Sequence, residues 1–326
     1  MRVGTPRVWI VCSLVAAVAV LVGAVHVGTS LLGRGGRAVE GLRHVVDSSA
    51  GHDFSSAGHD ISSVGHDIVY FERTPDPVAA DSAPHSVPIV LLASFARSVA
   101  DFNELTASLS AAGYRTLAIE SRGIGGSGGG GPGQDLTLHD LAADVAVVLD
   151  AAAPGSRVHI VGHAFGNRVA RTFARDHPER VESVTLIAAG GLVPIAPEIQ
   201  SALAVSVSSF LPVSLREPGL RMAFFSGENE IPDDWIGGWW MWGGWAQKDA
   251  TAATSSEEFW DAGSAPVLVL QAEDDRLAPP EDSGLRLRDA FPERVELVMV
   301  PGAGHAFLPE QPKKILDAML AYYSRR

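Results

Sequence analysis

The chain has 326 residues, 46% of them hydrophobic and 19% charged, with 25 basic residues against 38 acidic and a net charge of -13. That composition excludes a disordered polymer and leaves room for one large folded domain or two small ones. Residues 1–45 hold five Arg and one Glu, so the body beyond them is more acidic still and repels phosphate backbones, which argues against nucleic acid as a partner. The single cysteine, Cys12, excludes an intramolecular disulfide and a cysteine-based metal site.

From Val8 to Val25 every residue is apolar or small, and after Arg2 and Arg7 no charge appears until Arg34. A helix of that length rises about 27 Å, close to the roughly 30 Å hydrocarbon core of a bilayer. Residues 1–33 are expected to be an uncleaved single-pass membrane anchor, so the lipid bilayer is an expected partner. A cleaved signal segment, giving a secreted product, and a buried helix are the alternatives. Arg2 and Arg7 nearly balance Arg34, Arg37 and Arg43 across the span, with a lean towards an exported body.

Residues 34–65 read as a flexible linker. Within it Gly51-His52-Asp53-Phe54-Ser55-Ser56-Ala57 is followed by Gly58-His59-Asp60 and Gly65-His66-Asp67 at seven-residue intervals. Repeated His-Asp pairs suggest metal ligation, but glycine at every seventh position and paired serines suit a duplicated tether better than a rigid ligand cage. The third unit is expected to run into a first strand at Ile68-Val69-Tyr70-Phe71.

Beyond Val87 short apolar runs alternate with helical patterns, as in a parallel sheet with helices on both faces. Ile89 to Leu92 reads as a buried strand, Asp101 to Ala112 as a helix ended by Gly113, and Tyr114 to Ile119 as the next strand. Thr137-Leu138-His139-Asp140 places a cap and an acidic residue at the start of a helix reaching about Ala152. Val158 to Val161 is a strand running into Gly162. Further strands are expected at Ser183–Ala188, Val267–Gln271 and Val295–Val300, and a helix over Pro312–Tyr323. Between about 192 and 263 the alternation lapses, and six of the seven tryptophans lie between Trp235 and Trp260, which marks an insertion.

Gly162-His163-Ala164-Phe165-Gly166 has the glycine spacing of a nucleophile elbow, Gly-x-Ser-x-Gly, with alanine in place of serine. Asp274-Asp275 follows the Val267 strand, and Gly302-Ala303-Gly304-His305 follows the last strand. Elbow, acid and histidine thus each come where a strand ends, the end at which open α/β sheets bind ligands. With Glu120-Ser121-Arg122-Gly123-Ile124-Gly125-Gly126-Ser127, similar to the loop Asp-x-Arg-Gly-x-Gly-x-Ser, residues 66–326 resemble the α/β-hydrolase superfamily.

The resemblance implies a mostly parallel sheet with helices on both faces and a small inserted cap. It makes His305 a base, Asp275 the group that sets its tautomer, and the backbone N–H groups of Phe95 and Phe165 the oxyanion donors. The usual His-Gly after the first central strand is replaced by Ala93-Ser94. Ala164 has neither lone pair nor acidic proton, so a covalent serine mechanism is excluded. Ser94 and Ser127 are loop candidates for another nucleophile, but neither has a spacing argument.

No cofactor or metal is required by this reading. His305 is expected to activate water, or to take a substrate proton directly, on a hydrophobic ester, lactone or carbonyl compound. The alternative is a catalytically silent binding protein for an apolar ligand. Trp235, Trp239 and Trp240 are expected to line the substrate pocket beneath the cap; packing the cap onto the body, or dipping into a bilayer interface, are the competing roles.

Overall fold

The computed structural model describes residues 36–49, 65–76 and 85–326. β1 (Leu42–Asp47), β2 (Asp67–Arg73), β3 (Ile89–Leu92), β4 (Thr116–Ile119), β5 (Val158–His163), β6 (Val181–Ile187), β7 (Val267–Ala272) and β8 (Val295–Val300) form one sheet. Their order across it is β1-β2-β4-β3-β5-β6-β7-β8. β2 is antiparallel to both β1 and β4, and from β4 to β8 every neighbouring pair is parallel.

Every residue of β3, β4, β5 and β7 is buried, as strands covered on both faces must be. One cover is made by α1 (Asn103–Ala111) and the C-terminal helix α9 (Pro312–Tyr323), which bring Leu109, Ile315 and Met319 into a core with Leu91, Val161 and Leu270. The opposite cover is made by α2 (Leu138–Ala152), α3 (Phe165–Asp176) and α8 (Gly284–Ala290), with Leu149, Phe173 and Leu287 in a core with Val90, Ile160 and Val269. α2 starts where the sequence indicates: the Thr137 hydroxyl accepts from the Asp140 N–H, and the Asp140 carboxylate accepts from the Thr137 N–H at 2.7 Å. The helix expected from Asp101 instead opens as a tighter turn over Val99–Phe102, capped by Ser98, before α1 begins.

Between β6 and β7 the insertion folds as α4 (Pro197–Val207), α5 (Val213–Phe224), α6 (Asp233–Ile236) and α7 (Met241–Ala253). It has its own core, in which Ile199, Leu220, Phe224, Trp235 and Trp239 are buried together.

One boundary differs from the sequence reading. β1 lies inside the stretch read as linker, so the folded body starts before residue 66. Its pattern carries no strand signal because it is an edge strand held only by β2, with Leu42 and Val45 exposed. The third Gly-His-Asp unit also belongs to the fold. His66 bonds Ser48 Oγ at 3.0 Å and lies 3.2 Å from Asp144, which also pairs with Arg122. Val8–Val25 and the first two repeat units lie outside the described residues. Among the described residues, no helix is long and apolar enough to cross a membrane, and no group of three or more His, Cys, Asp or Glu is placed to hold a metal ion.

Candidate active site

β5 ends at His163 and α3 begins at Phe165, so Ala164 alone makes the turn between them. It does so at a φ of 50° and a ψ of -105°, a conformation that residues with a Cβ rarely hold. The flanking glycines permit it. A Cβ on Gly162 would strike the Gly166 backbone, and one on Gly166 would strike the Leu92 carbonyl. The Ala164 N–H donates to Ile187 O at 3.0 Å and its carbonyl accepts from the Asn167 N–H at 3.1 Å, which braces the turn from β6 and from α3. A methyl group stands at the position that the Gly-x-Ser-x-Gly pattern gives to a hydroxyl.

Asp275 follows β7 and His305 follows β8, both at the carboxyl end of the sheet that also carries Ala164. His305 Nδ1 lies 2.8 and 3.0 Å from the two oxygens of buried Asp275, and Asp275 Oδ1 also accepts from the Ala278 N–H at 2.8 Å. A carboxylate in that position assigns the proton to Nδ1 and leaves the lone pair on Nε2. The histidine loop is tied directly to the elbow, because His163 Nε2 donates to the His305 carbonyl at 3.0 Å. Complete burial, helped by the neighbouring His305, pushes His163 down to about 4 and keeps it neutral.

Two side chains that carry no motif complete the support. Glu310 accepts from the N–H groups of Gly304 at 2.8 Å and Phe307 at 3.2 Å, and its other oxygen accepts from the Ser226 N–H and from Asn229 Nδ2. One carboxylate therefore holds the histidine loop to the cap. Gln247, buried on α7, accepts from the Ala96 N–H at 2.7 Å, and Ala96 is itself at a φ of 54°. The cap thereby shapes the loop that presents Phe95. Among the described residues, no protein acceptor takes the N–H of Phe95 or of Phe165, and Phe165 sits at the N-terminus of α3, where the helix dipole favours negative charge.

The tryptophans stand one layer back. Trp235 and Trp239 meet edge to face with ring centroids 5.8 Å apart, and each lies 5.4 Å from Phe224, whose ring is 5.9 Å from that of His305. Phe224, not a tryptophan, contacts the histidine ring. Buried Arg97 stacks over Trp235 and Trp239, pairs with Asp101 and donates to Asp234 O at 2.7 Å, clamping the cap core to the loop after β3. Trp240 is half-buried, with its backbone N–H on Ala96 O and its indole nitrogen buried without a partner. Trp235 does line a cavity of about 260 Å³ beside Arg37, Glu104 and Ile315, but neither Ala164 nor His305 reaches it. Of the two loop serines, Ser127 is committed to structure, donating to Glu120 O and accepting from the Val69 N–H, both at 2.9 Å. Ser94 is buried at the end of β3.

A largely parallel sheet with a strained turn after β5, an acid after β7 and a paired histidine after β8 defines an α/β-hydrolase. The chain belongs to the serine aminopeptidase S33 family, whose sequence profile matches residues 84–312. It is 27% identical over 257 residues to the non-heme chloroperoxidase of Streptomyces lividans, spanning 72% of this chain and 91% of that one. To the 2-hydroxy-6-oxononadienedioate/2-hydroxy-6-oxononatrienedioate hydrolase of Cupriavidus pinatubonensis it is 30% identical over 214 residues, 59% of this chain and 71% of the relative. The thermophilic esterase of Thermogutta terrifontis has the same fold, with a TM-score of 0.66 at 18% identity over 86% of this chain and 98% of the esterase. Membership places the chain among hydrolase-type enzymes.

Proposed function

We propose that this protein hydrolyses a hydrophobic ester, lactone or related carbonyl compound without forming an acyl-enzyme. The observation that carries the reading is Ala164 in the strained elbow geometry, at the sheet end where the His305–Asp275 pair is intact. Water fills the place of the missing serine oxygen. His305 Nε2 takes a proton from that water as its oxygen bonds to the substrate carbonyl carbon, and the N–H groups of Phe95 and Phe165 receive the resulting oxyanion. As the C–O bond to the leaving group breaks, the proton passes from His305 to the departing oxygen. Asp275 stabilises the transient imidazolium and fixes its orientation. Loss of a serine nucleophile costs about a millionfold in the serine protease where it has been measured, so slow turnover is expected. The apolar run Val8–Val25 tethers the body to a bilayer, with the body exported.

A fluorophosphonate probe, applied to the natural chain and to Ala164→Ser, tests the site. The natural chain should stay unlabelled and Ala164→Ser should label, while His305→Ala abolishes ester turnover by the natural chain with the fold retained. An adduct on the natural chain would reveal a reactive serine and end this reading. Ester turnover indifferent to His305→Ala would remove the base from it, and a chain inert to every ester but able to hold apolar ligands would leave a binding protein.

A further inference from the structure

Most large apolar side chains exposed among the described residues lie on the cap, and Val205, Phe210, Val213, Leu215 and Met222 all belong to one hairpin, α4 and α5 with the loop between them. Leu215 is 58% exposed and Phe210 48%. These are not frayed margins of a core. α4 and α5 pack on each other where Gly219 meets Ala202 and Ser206, and they turn Ile199, Leu220 and Phe224 into the cap interior. Between Glu198 and Arg216 the sequence has no charged residue. Arg216 itself is buried, with Nε on Ser206 O at 2.9 Å and Nη2 on Ile236 O at 2.5 Å, so the one cation at this end is drawn inward. Farther along α5 Glu217 is exposed and Arg221 half-buried, so the uncharged part of the surface is the tip from Val205 to Leu215, and an exposed apolar tip of this kind marks an interaction surface.

What covers it follows from where the chain enters the fold. Gly36 lies against the cap, where a Cβ on Gly238 would come within 3.0 Å of its Cα. From there the chain passes α1, with Asn103 Nδ2 donating to Ala38 O, and reaches Leu42 opposite Glu72, at the far end of the sheet from the cap. The stretch from Val25 to Gly36 spans at most about 40 Å when fully extended. A tether entering at Gly36 thus meets the body on its cap side, beside the segment where Arg216 of the hairpin bonds Ile236 O.

We infer that the α4–α5 hairpin is a membrane-docking tip. Phe210, Val213 and Leu215 enter the interfacial layer of a lipid bilayer, while the loop's backbone polar groups stay among the head groups. The inference rests on the tether reading for its reach and is independent of the chemistry at Ala164. It also narrows the substrate class: α5 ends at Phe224, the ring against His305, so the element that meets the bilayer also borders the site, and compounds dissolved in lipid are what it would bring there.

The test uses the full chain in vesicles of phosphatidylcholine and phosphatidylglycerol, in a Cys12→Ser background. A bimane label is placed on Leu215→Cys or, as an exposed apolar control at the other end of the sheet, on Leu42→Cys. Flotation with the vesicles reads the tether, and quenching by lipids with a doxyl group near the head group reads the hairpin. Both proteins should float, with several-fold stronger doxyl quenching and weaker iodide quenching at position 215 than at position 42. Flotation with equal quenching at the two positions overturns the docking and leaves the tether standing. Cross-linking of two copies through position 215 without doxyl quenching assigns the surface to a second copy and overturns it too. Failure to float overturns both.

Discussion

Ala164 holds a backbone conformation that costs a non-glycine residue about 1 to 3 kcal/mol, and the surrounding clearances keep it there. Gly166→Ala is the sharper probe of those clearances. Its methyl would meet the Leu92 carbonyl, and overpacking of that kind costs about 1 to 3 kcal/mol or more. The urea midpoint of Gly166→Ala should drop accordingly, whereas Ala164→Ser should stay within about 0.5 kcal/mol of the natural chain; equal midpoints for the two variants would contradict the packing described. The elbow, Asp275 and His305 are legible in the sequence because each follows a buried strand, so place in the chain gives place in the fold. Glu310 and Gln247 are not. Gln247 bonds a backbone amide 151 positions away and Glu310 one 84 positions away, and a side chain that serves a distant amide leaves no partner residue to recognise.

Among the elements, buried strands are the most readable, since covering both faces demands an unbroken apolar run. β1 escapes notice for the converse reason: at the sheet margin its ladder to β2 is satisfied by backbone groups whatever the side chains are. α2 announces itself through Thr137 and Asp140. Thr137→Ala should cost about 1 kcal/mol, measured as a shift in the urea midpoint; a shift within error would remove the capping box from the account. The tryptophan segment is readable only in part. Its glycines do break it into α6 and α7, but which way each indole faces depends on Arg97, which lies far upstream and contacts Trp235 and Trp239 only once the chain has folded.

Across the whole molecule, buried titratable groups set the response to pH. Burial holds His159 and His163 at about 4, below the ordinary 6.5, and raises Glu120 to about 7, above the ordinary 4.5. Below pH 6.5 the unfolded chain takes up protons on the two histidines that the folded chain refuses, so stability falls as pH drops towards 4. Glu120 acts in reverse: between pH 4.5 and 7 only the folded chain keeps its proton, so its contribution is lost as pH rises through that window. Two histidines outweigh one carboxyl, and stability should climb to about pH 6.5 and then slope down to about 7, with each group worth up to about 3 kcal/mol. Urea unfolding from pH 4 to 8 checks this. Glu120→Gln should erase the descent above pH 6.5, and His163→Gln should shallow the rise below it; a natural profile with no maximum in this range would refute the assignment. The turn at Ala164 has a last consequence, which is hereditary. Alanine codons and four of the six serine codons differ by a single base at the first position, so one point mutation would place a hydroxyl on a turn already held at a φ of 50°.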